Sequence, residues 1–194
     1  DITYKTCKEI HTFGNVACLQ KVTGKQLLDA LEWGAGKLGS GEEFGGFLQV
    51  SGLTYKIDVS VPSTISADEN GIWTGSPTGE YRVHDVKVYN KQTDSWDELE
   101  PEAEYNLAGY NYTLRDLGDG FAMFDGAVNI LDYVMEDYLV LANYVEAFED
   151  GTILKILTKE GESAPVLTPI GYLGQPGEAI PDAAAPAASS AAKE

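Results

Sequence analysis

Stretches of β-forming residues alternate along the chain with two segments of helical periodicity. NVACLQKV (15–22) reads as a strand, and TGKQLLDALEWGAG (23–36) reads as a helix. Thr23 stands where its hydroxyl can cap the first turn, and Gln26 follows three residues later, the spacing of a capping box. Leu27, Leu31 and Ala35 recur at i, i+4 and i+8 and form one apolar face, and Gly34 and Gly36 stop the helix. GSGEEFGG (39–46) is a loop. FLQVSGLTYKIDVSV (47–61) predicts a long strand interrupted at Gly52, with Leu53, Tyr55, Ile57 and Val59 on one face by period two. PSTISADENGIWTGSPTG (62–79) is rich in turn formers, and strands follow over 81–90 and 104–112. DYLVLANYVEAF (137–148) predicts a helix capped by Asp137, with Leu141, Val145 and Phe148 on one stripe, and TILKILT (152–158) predicts a last strand. Strands interleaved with two helices predict an α+β fold, a mixed β-sheet packed with helices.

Composition refines this picture at the C-terminus. PGEAIPDAAAPAASSAAKE cannot bury enough apolar surface to offset its ordering entropy. The expected organisation is one domain over 1–158, followed by a Pro/Ala/Ser-rich tail or linker over 159–194. The start, DITYKT, lacks an initiator Met and reads as a processed or excised piece. The 31 Asp+Glu residues outnumber 13 Lys+Arg, giving a formal net charge of -18. That balance argues against a nucleic-acid polymer as partner, because neutralising phosphates needs clustered cations. It also argues against anionic membrane surfaces. No run approaches the roughly 18 apolar residues of a membrane span, so no membrane insertion is expected. Cys7 and Cys18 can form at most one bridge, and a buried free thiol at Cys18 is the expected state.

Candidate chemistry is sparse. The only histidines, His11 and His84, have no metal-spaced partner, and neither G-x-S-x-G nor a phosphate-binding glycine loop occurs. Neither a metal site nor a catalytic residue is expected in this chain. Two loops stand out instead. In HTFGN, Phe13 sits beside two turn formers just before a strand, where it is either core or a platform for something flat. In NYTLRDLGDGF, Asp119 lies between Gly118 and Gly120, where its carboxylate either bonds its own backbone or accepts a pair of hydroxyls. Tyr112 ends the strand before that turn. Two such aromatics can sandwich a planar ring, each stack contributing about 1–3 kcal/mol.

Four segments in order carry a resemblance: DITYKTCKEIHTFGNVACLQKVTGKQLLDALEWG, GGFLQVSGLTYKID, YRVHDVKV and EYNLAGYNYTLRDLGDGFAMF. With their F-G-N, T-G-x-x-L-x-x-A-L-E, F-L-Q-V-S-G and G-D-G-F motifs, they resemble the C-terminal domain of the 5′-nucleotidase family. That family includes UDP-sugar hydrolases and 2′,3′-cyclic-nucleotide phosphodiesterases. The resemblance implies a secreted or otherwise extracytoplasmic two-domain phosphoesterase of nucleotide catabolism. An N-terminal metallophosphatase domain holding a divalent metal pair would hydrolyse the phosphate ester, while the C-terminal domain holds the nucleoside or nucleotide. This chain, without that partner domain, would itself be inactive and carry no cofactor. Carried over residue by residue, Phe13 and Tyr112 clamp the base, Asn15 approaches its edge and Asp119 bonds the ribose hydroxyls.

The sequence departs from the family pattern where Leu117 replaces the first of a glycine pair, where Tyr112 replaces the commoner Phe, and in lacking the N-G-G-G-I-R segment, so that by this resemblance the first segment of the domain over 1–158 is missing. These departures keep a second reading open: a non-catalytic cell-surface interaction module that retained the fold and lost the ligand.

Overall fold

The computed structural model describes residues 2–147 and the strands at 152–156 and 171–174. Two compact units are present, Asp1–Val140 and Leu141–Glu194.

In the first unit a short helix α1 (Tyr4–Ile10), not expected from the pattern, precedes strand β1 (Ala17–Thr23) and helix α2 (Gly24–Ala35). The capping box forms as expected. The Gln26 amide N–H donates to the Thr23 hydroxyl at 3.1 Å, and the Thr23 N–H donates to Gln26 Oε1 at 2.8 Å. Then come β2 (Leu53–Ile57), a ribbon of β3 (Ser66–Ala67) and β4 (Trp73–Gly75), β5 (Val83–Asn90), β6 (Ser95–Glu98) and β7 (Glu104–Tyr110). A helical turn α3 (Asn111–Leu114), two 3₁₀ turns and β8 (Val128–Leu131) lead to α4 (Asp137–Glu146), within which the two units divide. The class is α+β, as expected. Every strand pairing among the described residues is antiparallel, in sheets of order β7-β1-β8 and β2-β5-β6 and the β3-β4 ribbon.

Helix α2 lies against both of the larger sheets, so its expected single stripe divides. Leu27 joins Ala30 and Trp33 in a core with Cys18 and Val22 of β1 and with Leu114, Phe121, Met123 and Phe124. Leu31 and Ala35 instead pack on Val83 and Val86 of β5. Each large apolar side chain so buried contributes about 1.5–3 kcal/mol. The C-terminal carbonyls of α2 are satisfied by an arginine from β5's approach. The Arg82 guanidinium donates to the carbonyls of Ala35 (2.9 Å), Gly36 (3.1 Å), Leu38 (2.8 Å) and Val59 (3.2 Å).

Two expected strands are shorter in the structure. The one over 47–61 contracts to Leu53–Ile57, because Gly52 takes a left-handed φ of 77° and turns the chain just before it. Val59, expected on the same face as Leu53, Tyr55 and Ile57, lies beyond the strand and is exposed. The strand over 104–112 ends at Tyr110, and Tyr112 falls in the helical turn α3. In the second unit, β9 (Thr152–Ile156) pairs antiparallel with β10 (Gly171–Gly174). The expected boundary at residue 158, Phe148 and the tail over 159–194, apart from β10, lie outside the described residues.

Both cysteines are free and buried. Burial pushes the Cys18 thiol up, with Arg115 opposing the shift. A thiol reagent is therefore expected to label neither cysteine in the native protein within minutes and both in denaturant; fast native labelling would contradict this packing.

Candidate functional site

The register of β1 with β7, from Ala17 opposite Tyr110 to Thr23 opposite Glu104, brings the segment before β1 and the segment after β7 to the same end of one sheet. Two hydrogen bonds join them there. The Asn111 N–H donates to the Val16 carbonyl at 2.9 Å, and the Val16 N–H donates to Asn111 Oδ1 at 2.7 Å. The other flank of the HTFGN loop is held by Asp137. The Asn15 N–H donates to Asp137 Oδ2 at 3.2 Å, and the Asp137 N–H donates to the Asn15 carbonyl at 3.0 Å. The loop backbone is thus fixed while the side chains of Phe13 and Asn15 stay available. Phe13 is 89% exposed. The Asn15 side-chain amide makes no hydrogen bond among the described residues.

On the other segment, α3 turns the chain so that Leu114 enters the core while Tyr112 stays 45% exposed. Leu117 and Asp119 have left-handed φ values of 56° and 53°, and Gly120 has one of 80°. An L-residue in that region costs about 1–2 kcal/mol, which the buried surroundings hold in place. Leu117 packs against the core it borders. The Trp33 indole N–H donates to the Asp119 carbonyl at 2.9 Å, and the Tyr112 hydroxyl donates to Asp119 Oδ1 at 3.0 Å. Close approach to backbone requires glycine at Gly120, whereas at Gly118 the neighbour is the end of the exposed Tyr112 side chain. A Cβ on Gly120 would overlap the Gly71 carbonyl oxygen and stand 2.9 Å from Trp33 Cζ2, and one on Gly118 would overlap the Tyr112 ring. The turn is therefore layered, with Trp33 beneath, Tyr112 above and the Asp119 carboxylate at the surface. The hydrogen bond to that carboxylate raises the Tyr112 phenol above its ordinary value.

The structure thus brings Phe13 and Asn15 to the same end of the sheet as Tyr112 and Asp119. The rings of Phe13 and Tyr112 are not in contact with each other. Beside this end lies an apolar cavity of about 460 Å³. Leu27, Leu31, Leu48, Leu107 and Phe121 line it, and so does Asp119, whereas Phe13, Asn15 and Tyr112 do not. His11 Nδ1 is 3.2 Å from the Tyr110 hydroxyl and 3.9 Å from Asp137 Oδ2. His84 is exposed, 3.5 Å from Asp85. Among the described residues no group of three or more His, Cys, Asp or Glu side chains is gathered to hold a metal.

Reading the chain alone misses three supports of these loops. Asp137, read as a helix cap, does accept from the Tyr138 N–H at the start of α4 but also anchors Asn15 from 122 positions away. Asn111, read as part of a strand, instead ties the two loops together. Trp33, read as the end of a helix, carries Asp119. Only the last had a signal, since a buried indole N–H requires an acceptor.

The sequence profile of the family "5′-nucleotidase, C-terminal domain" matches residues 1–126. Curated proteins give no match. Among solved structures, the 5′-nucleotidase precursor from Thermus thermophilus is 29% identical, with a TM-score of 0.59 over 75% of this chain and 25% of that one. The NAD nucleotidase of Haemophilus influenzae shares the fold at 18% identity, with a TM-score of 0.56 over 75% of this chain and 24% of its own. The chain spans about a quarter of the length of either protein. No described helix is long and apolar enough to cross a membrane. A profile match over most of the chain, on an α+β fold shared with nucleotidases, places it in one family: it belongs to the 5′-nucleotidase C-terminal domain family.

Proposed function

We propose that this chain is the nucleoside- or nucleotide-binding domain of a two-domain nucleotide hydrolase. In this reading Phe13 and Tyr112 take the two faces of the base, the Asn15 amide meets its edge and Asp119 accepts from the ribose hydroxyls. An N-terminal domain with a divalent metal pair supplies the phosphate-ester hydrolysis. The observation that carries the reading is that Asn111 ties the segment after β7 to the end of the HTFGN loop at Val16, about a hundred residues away, so that Tyr112, with Asp119 bonded to its hydroxyl, stands at the same end of the sheet as a bare Phe13. A large exposed aromatic on a backbone held at both flanks is poorly explained by packing and well explained by stacking. The Thermus thermophilus relative is named as a precursor, which supports an extracytoplasmic location for the whole protein.

The test is titration of the chain with adenosine and AMP. Asp119→Asn is expected to weaken binding about tenfold, the lower end of the ~1.5–3 kcal/mol for hydrogen bonds to a charged group, because the carboxylate is exposed. An unchanged affinity removes the ribose role. An absence of binding by the unmodified chain favours the interaction-module reading.

A further inference from the structure

We infer that Trp33 is the positioning residue for Asp119, and that it sets the preference of this site for ribose over deoxyribose. The inference rests on the reading of Asp119 as the ribose acceptor. Asp119 is exposed and is itself left-handed, as are Leu117 two residues before it and Gly120 after it. Such a turn has no repeating backbone ladder to hold its peptide planes. The plane that follows Asp119 is held from below by one bond, Trp33 Nε1–H to the Asp119 carbonyl at 2.9 Å.

That bond is built to be rigid. Trp33 is 6% exposed and sits in the principal core on α2, with its ring edge-on to Phe44 at a centroid distance of 5.9 Å. Gly120 packs directly on the same indole. The helix is fixed in turn at its start by the Thr23–Gln26 box and at its end by Arg82. A continuous path of buried contacts therefore runs from the core to the carbonyl of the ligand-facing residue. Among the described residues, the Asp119 side chain is engaged by the Tyr112 hydroxyl, which donates to Oδ1. Oδ2 remains for a ligand hydroxyl, and its direction is set by the backbone that Trp33 holds. A carboxylate receiving a hydroxyl must lie within a few tenths of an ångström of the bonded position, so loosening the carbonyl weakens the ribose contact and leaves base stacking unaffected.

The experiment compares adenosine, 2′-deoxyadenosine and adenine binding to the full chain and to Trp33→Phe and Asp119→Asn. Trp33→Phe keeps an aromatic ring in the core and removes the N–H. It is expected to lower the adenosine-to-deoxyadenosine affinity ratio at least threefold while leaving adenine affinity within twofold. Asp119→Asn is expected to lower the same ratio at least as far. If Asp119→Asn lowers the ratio and Trp33→Phe does not, the positioning role is overturned and the functional reading stands. If Asp119→Asn leaves the ratio unchanged, both fall. Equal loss for all three ligands in Trp33→Phe means a merely structural tryptophan and overturns the inference. Should Trp33→Phe fail to fold, the unmodified chain decides: the Trp33 indole N–H resonance is expected to shift on titration with adenosine and to hold still with adenine. Identical shifts with both, or none with either, overturn the assignment.

Discussion

Gly120→Ala is expected to lower the unfolding free energy by about 3 kcal/mol or more and to displace Asp119 in whatever fraction remains folded. Two costs combine at this position. The backbone φ of 80° is unfavourable for any residue with a Cβ. The added methyl also has nowhere to go, since it would meet the Gly71 carbonyl oxygen and the edge of Trp33. The first obstacle is backbone in the β3–β4 turn, held by the bonds of the Ile72 and Asn70 N–H groups to Asp68 Oδ1, both at 2.9 Å, so it cannot swing aside like a flexible side chain. The turn must shift as a unit, and Asp119 shifts with it. Gly126→Ala is the control. It has a similar φ of 76° and nothing within 4 Å of where the methyl would stand, so only the conformational cost of about 1 kcal/mol applies. Urea unfolding of both variants measures the difference; equal midpoints would mean that close approach plays no part at Gly120.

Arg82→Met is expected to cost about 3–5 kcal/mol, although it exchanges a charged side chain for an apolar one of similar length. Arg82 is 3% exposed and carries four hydrogen bonds, all to main-chain carbonyls. Two of those acceptors, on Ala35 and Gly36, are the free carbonyls at the end of α2, where the helix dipole places partial negative charge. Methionine fills the space but leaves these acceptors without a donor, and each buried one lost costs about 1–3 kcal/mol. Water can reach the outermost carbonyls, which keeps the total below the plain sum. Arg82→Lys retains the charge with a single point donor in place of the planar fork and is expected to recover less than half of the loss. Thermal melting with an unchanged midpoint for Arg82→Met would refute this role. Because α2 also carries Trp33, the same variant is expected to loosen the Asp119 turn.

Local chemistry was sufficient for part of this protein. The Thr23–Gln26 box, the body of α2, the strand at β1 and the period-two burial of Leu53, Tyr55 and Ile57 follow from residues within one turn or one pleat of each other. The motifs around Phe13, Asn15, Tyr112 and Asp119 are short and contiguous, but local chemistry left their roles open and only the family resemblance singled these residues out. Three things depended on contacts between distant segments. Whether Leu27 and Leu31 share a core was decided by the second sheet, whose Val83 and Val86 take Leu31 and Ala35 while Leu27 packs with β1, dividing residues that the helical period groups together. Where the strand before Tyr112 ends was decided by Asn111, whose side chain and backbone bond Val16 and bend the chain into α3. The Asp119 carbonyl finds its donor in Trp33, 86 positions earlier, because the turn's own backbone bond, from the Phe121 N–H to the Gly118 carbonyl, does not use it.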